Sequence, residues 1–134
     1  MALTHVFIWV REVQVEAGFF RDVFALPVRV LEEVPGHGWR AELDAGPVTV
    51  YVADEDELGG PGEIGANAYR NDPVQPPAAF QISFTVSDVA AVHAAALTGG
   101  GSSIADPYVA PWGQTLARLR TPGGVVVSLI GTTG

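Results

Sequence analysis

Three histidines and no cysteine set the limits of what this chain can do chemically. Without thiols there is no disulfide, no thiolate metal site and no Cys nucleophile. His5 stands at the start of an alternating run, His37 between two glycines and His93 inside a helical stretch; the last two are expected at the surface. His5, Glu42, Tyr51 and Arg118 have the side-chain types for metal-free acid–base work. Imidazole titrates near neutral pH, and a phenol or guanidinium stabilises developing negative charge. Their spacing alone does not demand that they meet. No G-x-S-x-G elbow marks a hydrolytic serine. Gly99-Gly100-Gly101-Ser102 lacks the G-K-[ST] of a phosphate loop, and its glycines end a helical stretch rather than open one. Asp54-Glu55-Asp56-Glu57 has no EF-hand spacing and reads as a solvated loop.

The aromatic residues form the stronger pattern. Phe7 and Trp9 alternate onto one side of a strand, Trp39 opens another, Tyr51 sits late in a third, and Trp112 lies in a Pro-Trp-Gly turn. Flat side chains with one polar handle suit planar aromatic ligands, each stacked pair being worth ~0.5–1.5 kcal/mol beyond area burial. Ligand pockets are mostly apolar with a few directed polar groups. His5, Gln81, Ser83, Thr85, Arg118 and Ser128 are the candidates for those.

The elements that must position these residues come as a repeat. Residues 4–10 alternate as a strand, with Val6, Ile8 and Val10 on one side and His5, Phe7 and Trp9 on the other. Residues 12–25 follow as a helix stopped by Pro27. In the second half, Ile82, Phe84 and Val86 oppose Gln81, Ser83 and Thr85, and Ser87 or Asp88 caps a helix over 89–97. A shift of 76 residues lays His5–Val10 over Gln81–Val86, and a shift of 77 lays Gly46–Val52 over Gly123–Leu129. Between helix and last strand each half has two further strands, 29–34 and 39–44, then 103–109 and 114–120. Asp44-Ala45-Gly46-Pro47 and Thr121-Pro122-Gly123-Gly124 are hairpin turns. Residues 55–78, rich in Gly, Pro and charge, read as the linker between modules 1–54 and 79–131 of one domain.

Composition narrows the partners. At 134 residues, 48% apolar and only 16% charged, the chain has material for a core and too little polar bias for disorder. A net charge of −8 gives no footprint for nucleic acid and repels anionic membranes. It favours cationic or neutral ligands. No basic-flanked leader and no apolar stretch near ~20 residues is visible, so a soluble cytoplasmic protein is expected.

Strand, helix and three strands, twice over, resembles the vicinal oxygen chelate superfamily of glyoxalases, bleomycin-resistance proteins and dioxygenases. The likeness rests on His5 in the first strand and on Phe19-Phe20-Arg21-Asp22-Val23-Phe24, similar to that superfamily's aromatic helix. It also rests on Pro111-Trp112-Gly113-Gln114 followed by Arg120-Thr121-Pro122-Gly123-Gly124, similar to its "WGQ…DPDG" ending. The resemblance implies an α+β fold, two βαβββ modules whose curved mixed sheets surround a cup, with helices on the outer face. It implies a homodimer with shared cups, and Trp9 and Trp112 near the cup mouth. Metal-dependent members place His or Glu at four cup positions, which here fall on His5, Tyr51, Gln81 and Ser128. One ordinary ligand in four implies no metal and no cofactor.

The sequence therefore reads as a metal-free protein that binds an aromatic or cationic small molecule through His5, Phe7, Trp9, Trp39, Tyr51, Gln81, Ser83, Trp112, Arg118 and Ser128. The alternative is an enzyme of the same superfamily, a lyase, isomerase or dioxygenase, that uses His5 with or without a divalent ion.

Overall fold

A computed structural model describes residues 1–36, 38–55 and 80–132. His37 and nearly all of the expected linker lie outside these residues. Ten elements follow in order: β1 (His5–Val10), α1 (Val13–Phe24), β2 (Val28–Val34), β3 (Gly38–Ala45), β4 (Val48–Asp54), β5 (Ile82–Val86), α2 (Val89–Thr98), β6 (Ser102–Val109), β7 (Thr115–Arg120) and β8 (Val126–Gly131). They divide between two compact units, Met1–Asp72 and Pro73–Gly134, each a βαβββ module. The sheet orders are β1-β4-β3-β2 and β5-β8-β7-β6, so the two modules share one topology. Each sheet is mixed: first and last strands of a module pair in parallel, and the other neighbours pair antiparallel.

The repeat seen in the sequence is reproduced in the ladders. Phe7 pairs with Tyr51 in module one, and Ser83 pairs with Ser128 in module two. These are the same positions after the shifts of 76 and 77 residues.

Strand alternation divides each sheet into a helix side and an inner face. In module one Ile8, Val10, Ala41, Leu43, Val50 and Val52 are buried on the helix side, where α1 contributes Val13, Ala17, Phe19 and Phe20. Phe19, Phe20 and Phe24 meet edge-on or tilted, with centroids 5.4 to 6.3 Å apart, a geometry that aligns ring edges with ring faces. In module two Val127, Leu129, Ala117 and Leu119 are buried against α2 through Val89 and Ala96.

The ends of the helices follow their local chemistry. Asp88 caps α2 by accepting from the backbone N–H of Ala91 at 3.0 Å. The α2 exit uses Gly100 at φ +102°, with the Gly101 N–H bonded to the Ala96 carbonyl at 2.9 Å. α1 has no side-chain cap at Glu12, and it ends on Ala25 in the left-handed region at φ 57°. Among the described residues no helix is long and apolar enough to cross a membrane.

Candidate functional site

The inner face of module one gathers the aromatic residues. His5, Phe7 and Trp9 lie along β1, and Phe7 stands opposite Tyr51 of β4. Ring centroids are 5.9 Å apart for His5–Phe7, 5.8 Å for Phe7–Trp9 and 4.7 Å for Phe7–Tyr51. The four rings form one continuous surface. Phe7, at its centre, is 47% exposed, although it carries the most apolar side chain of the set. Hydrophobic burial would place that ring in a core, so an open aromatic row on the face away from the helix is a feature to be accounted for.

Charge borders the row on β2 and β3. Arg40 Nε donates to Glu32 Oε1 at 2.8 Å, and Arg40 Nη1 donates to Glu42 Oε2 at 3.2 Å. Its guanidinium carbon lies 5.8 Å from the Tyr51 ring centroid, within cation–π range. The hydrogen bond that Arg40 donates to Glu32 first, and its interaction with the Tyr51 side chain second, hold the Arg40 pKa above its ordinary value. Arg29 Nη2 donates to the Thr49 hydroxyl at 2.7 Å. Glu42 stands directly opposite Tyr51, so a carboxylate flanks the aromatic surface.

Trp39 is not part of this surface. It pairs with Glu33 and shares strand parity with the buried Ala41 and Leu43, which places it on the helix side of β3. The sequence reading put it in the cup. The correction turns on a single residue of register, since a one-place change of parity moves a side chain through the sheet.

Module two's inner face is polar. Gln81 precedes β5 and is exposed, as are Ser83 and Thr85. Ser128 is buried between Ser83 and Arg118 on neighbouring strands. Trp112 sits in the turn before β7 and is 69% exposed, with its indole N–H donating to Gln114 Oε1 at 3.0 Å. Gln114 in turn donates to the Gly131 carbonyl at 3.2 Å, which fastens the turn to β8.

His93 is not at the surface as expected. It is 5% exposed, with Nε2 at 2.9 Å from Ser103 Oγ. Ser103 donates to Asp106 Oδ1 at 2.6 Å, and His93 Nε2 is 3.7 Å from the same oxygen. Histidine, serine and acid are thus in contact, yet the arrangement is not a nucleophilic triad. The acid accepts the serine's hydrogen bond instead of orienting the imidazole through its far nitrogen.

The four positions at which the resemblance would place metal ligands, His5, Tyr51, Gln81 and Ser128, do not fit a divalent ion. They supply one imidazole, a phenol, an amide and a hydroxyl, and the His5 Nδ1 is engaged at 2.9 Å with the Thr4 hydroxyl. Among the described residues no group of three or more His, Asp or Glu is placed to hold a metal.

No family model and no curated protein matches this sequence. Solved structures do match in fold. A glyoxalase-related enzyme from Fulvimarina pelagi superposes with a TM-score of 0.77 at 12% identity, over 98% of this chain and 88% of that one. A glyoxalase/bleomycin resistance protein/dioxygenase family enzyme from Burkholderia phytofirmans PsJN gives 0.70 at 18% identity, over 99% and 100%. TioX from Micromonospora sp. ML1 gives 0.69 at 18% identity, over 99% and 100%. The chain has the vicinal oxygen chelate fold, and that fold hosts unrelated chemistries.

Proposed function

We propose that this chain is a metal-free cytoplasmic binding protein that holds an aromatic or cationic small molecule, a natural product or antibiotic, without turning it over. The open row of His5, Phe7, Trp9 and Tyr51 carries the reading. A flat ligand laid on it gains offset stacking with several rings, and the neighbouring Glu42 suits a cationic substituent. The donor set at the four family positions supports a role without metal. The resemblance further supports a homodimer, which sedimentation equilibrium would reveal as twice the chain mass.

The test uses Trp9 as reporter. In a Trp39→Phe/Trp112→Phe variant, Trp9 is the remaining tryptophan. Titration with ethidium, a planar aromatic cation, is expected to quench its emission saturably. Phe7→Ala should then weaken binding about five- to tenfold, the loss of one stacked ring. Unchanged Trp9 emission, or equal affinity after Phe7→Ala, would refute the assignment.

A further inference from the structure

The same topological row carries opposite chemistry in the two modules. In module one it runs Phe7–Tyr51–Glu42 across β1, β4 and β3. In module two it runs Ser83–Ser128–Arg118 across β5, β8 and β7. Rings are replaced by hydroxyls, and the carboxylate by a guanidinium. Strand spacing of ~4.8 Å brings the three side chains within about 10 Å on one face.

This row is open for a ligand. Among the described residues, Ser83, Ser128 and Arg118 have no side-chain hydrogen bond or ion pair. Ser128 is only 6% exposed, and yet no buried side-chain polar atom lacks a partner, so its hydroxyl remains reachable from the inner face. Among the described residues of module two, no acid competes for Arg118. Residues 80–132 contain only two, Asp88 and Asp106. Asp88 caps α2, and Asp106 is bound to Ser103 beside His93. Arg120, two residues further along β7, is buried and engaged, so Arg118 carries the charge of this row.

We propose that Ser83, Ser128 and Arg118 form an oxyanion subsite that receives a carboxylate or phosphate group of a small molecule. The Arg118 fork donates to two oxygens of such a group, a geometry that point charges do not reproduce. The two hydroxyls donate to its remaining lone pairs without adding charge. The chain's net charge of −8 disfavours an anion only at long range. Solvent screening over ~8 Å makes recognition a matter of the groups in contact.

The experiment is a titration of the full-length ¹⁵N-labelled chain, followed at the backbone amides of Ser83, Arg118 and Ser128 and at the Arg118 Nε–H. The probes are 2-naphthoate, 2-naphthyl phosphate and the neutral 2-naphthamide. Both acids should shift these signals, the tighter one identifying the preferred oxyanion, while the amide leaves them in place. Arg118→Gln should weaken the acids about tenfold, the loss of a charge-assisted hydrogen-bonding group. Arg118→Lys, which keeps the charge and loses the fork, should fall between. Equal affinity for acid and amide, wild-type affinity in Arg118→Gln, or no shift at these residues would overturn the subsite. Trp9 reports on module one and these signals on module two, so either reading can fail while the other stands.

Discussion

A buried imidazole depends on what its nitrogens meet. His93 Nε2 meets the Ser103 hydroxyl at 2.9 Å, while Asp106 at 3.7 Å is beyond hydrogen-bond reach. Ser103→Ala should therefore cost about 1–3 kcal/mol, the penalty of leaving a buried polar atom unmatched, and Ser103→Thr should recover much of it. Urea denaturation of the two variants measures the difference. The inward turn of His93 was not legible in the sequence for a physical reason. α2 reads VAAVHAAALT, and alanine on every side gives no polar–apolar contrast to mark which face is covered. Trp39 was misplaced on similar grounds, because a lone aromatic at a strand start does not declare its parity. His5, Phe7 and Trp9 were legible as one side of a strand because clear alternation carried them, whereas Tyr51 rested on the resemblance.

At the scale of elements, backbone geometry yields two predictions of opposite sign. Ala25 ends α1 in the left-handed region at φ 57°, where its Cβ is crowded. Ala25→Gly should raise stability by about 0.5–1 kcal/mol in the same denaturation assay. Gly38 sits at φ +78°, and a Cβ there would lie 2.7 Å from Asp54 Oδ2 and 3.1 Å from Asp54 Cβ, so the Asp54 side chain would have to shift. Gly38→Ala should cost about 1–3 kcal/mol, with the steric conflict added to the backbone strain. Both sheets and both helices were readable, with ends displaced by one or two residues. Periodicity fixes the middle of an element, whereas the last turn depends on caps and bulges. The β6–β7 ladder shows this, with register shifts at Ser103/Ala105 and Ala105/Tyr108.

Across the whole molecule the charge is unevenly divided along the chain. Residues 1–55 carry nine acids against four arginines, whereas residues 80–132 carry two of each. Repulsion among like charges is therefore concentrated in module one, where Glu32 and Glu42 share Arg40 and Glu55 is held by Arg11 at 3.0 Å. Raising NaCl from about 10 mM to about 150 mM should lift the midpoint of thermal unfolding by a few degrees, as screening relieves the repulsion. A midpoint that falls with salt would show that ion pairing outweighs it. Composition announced the excess of acid. It did not announce that one module would be left nearly neutral, with an arginine free on its inner face.

The parallel joining of first and last strands also orders events in time. Residue 5 finds its partner at residue 49, and residue 83 finds its partner at residue 128. A chain emerging from the ribosome holds each opening strand without a neighbour until its whole module has been synthesised. The antiparallel hairpins β2–β3–β4 and β6–β7–β8 close over short distances and are the natural nuclei, onto which β1 and β5 dock last. Phe7 and Trp9 thus stay unpaired until nearly the whole of module one is made, and the late arrival of the strand that bears the aromatic row completes that module.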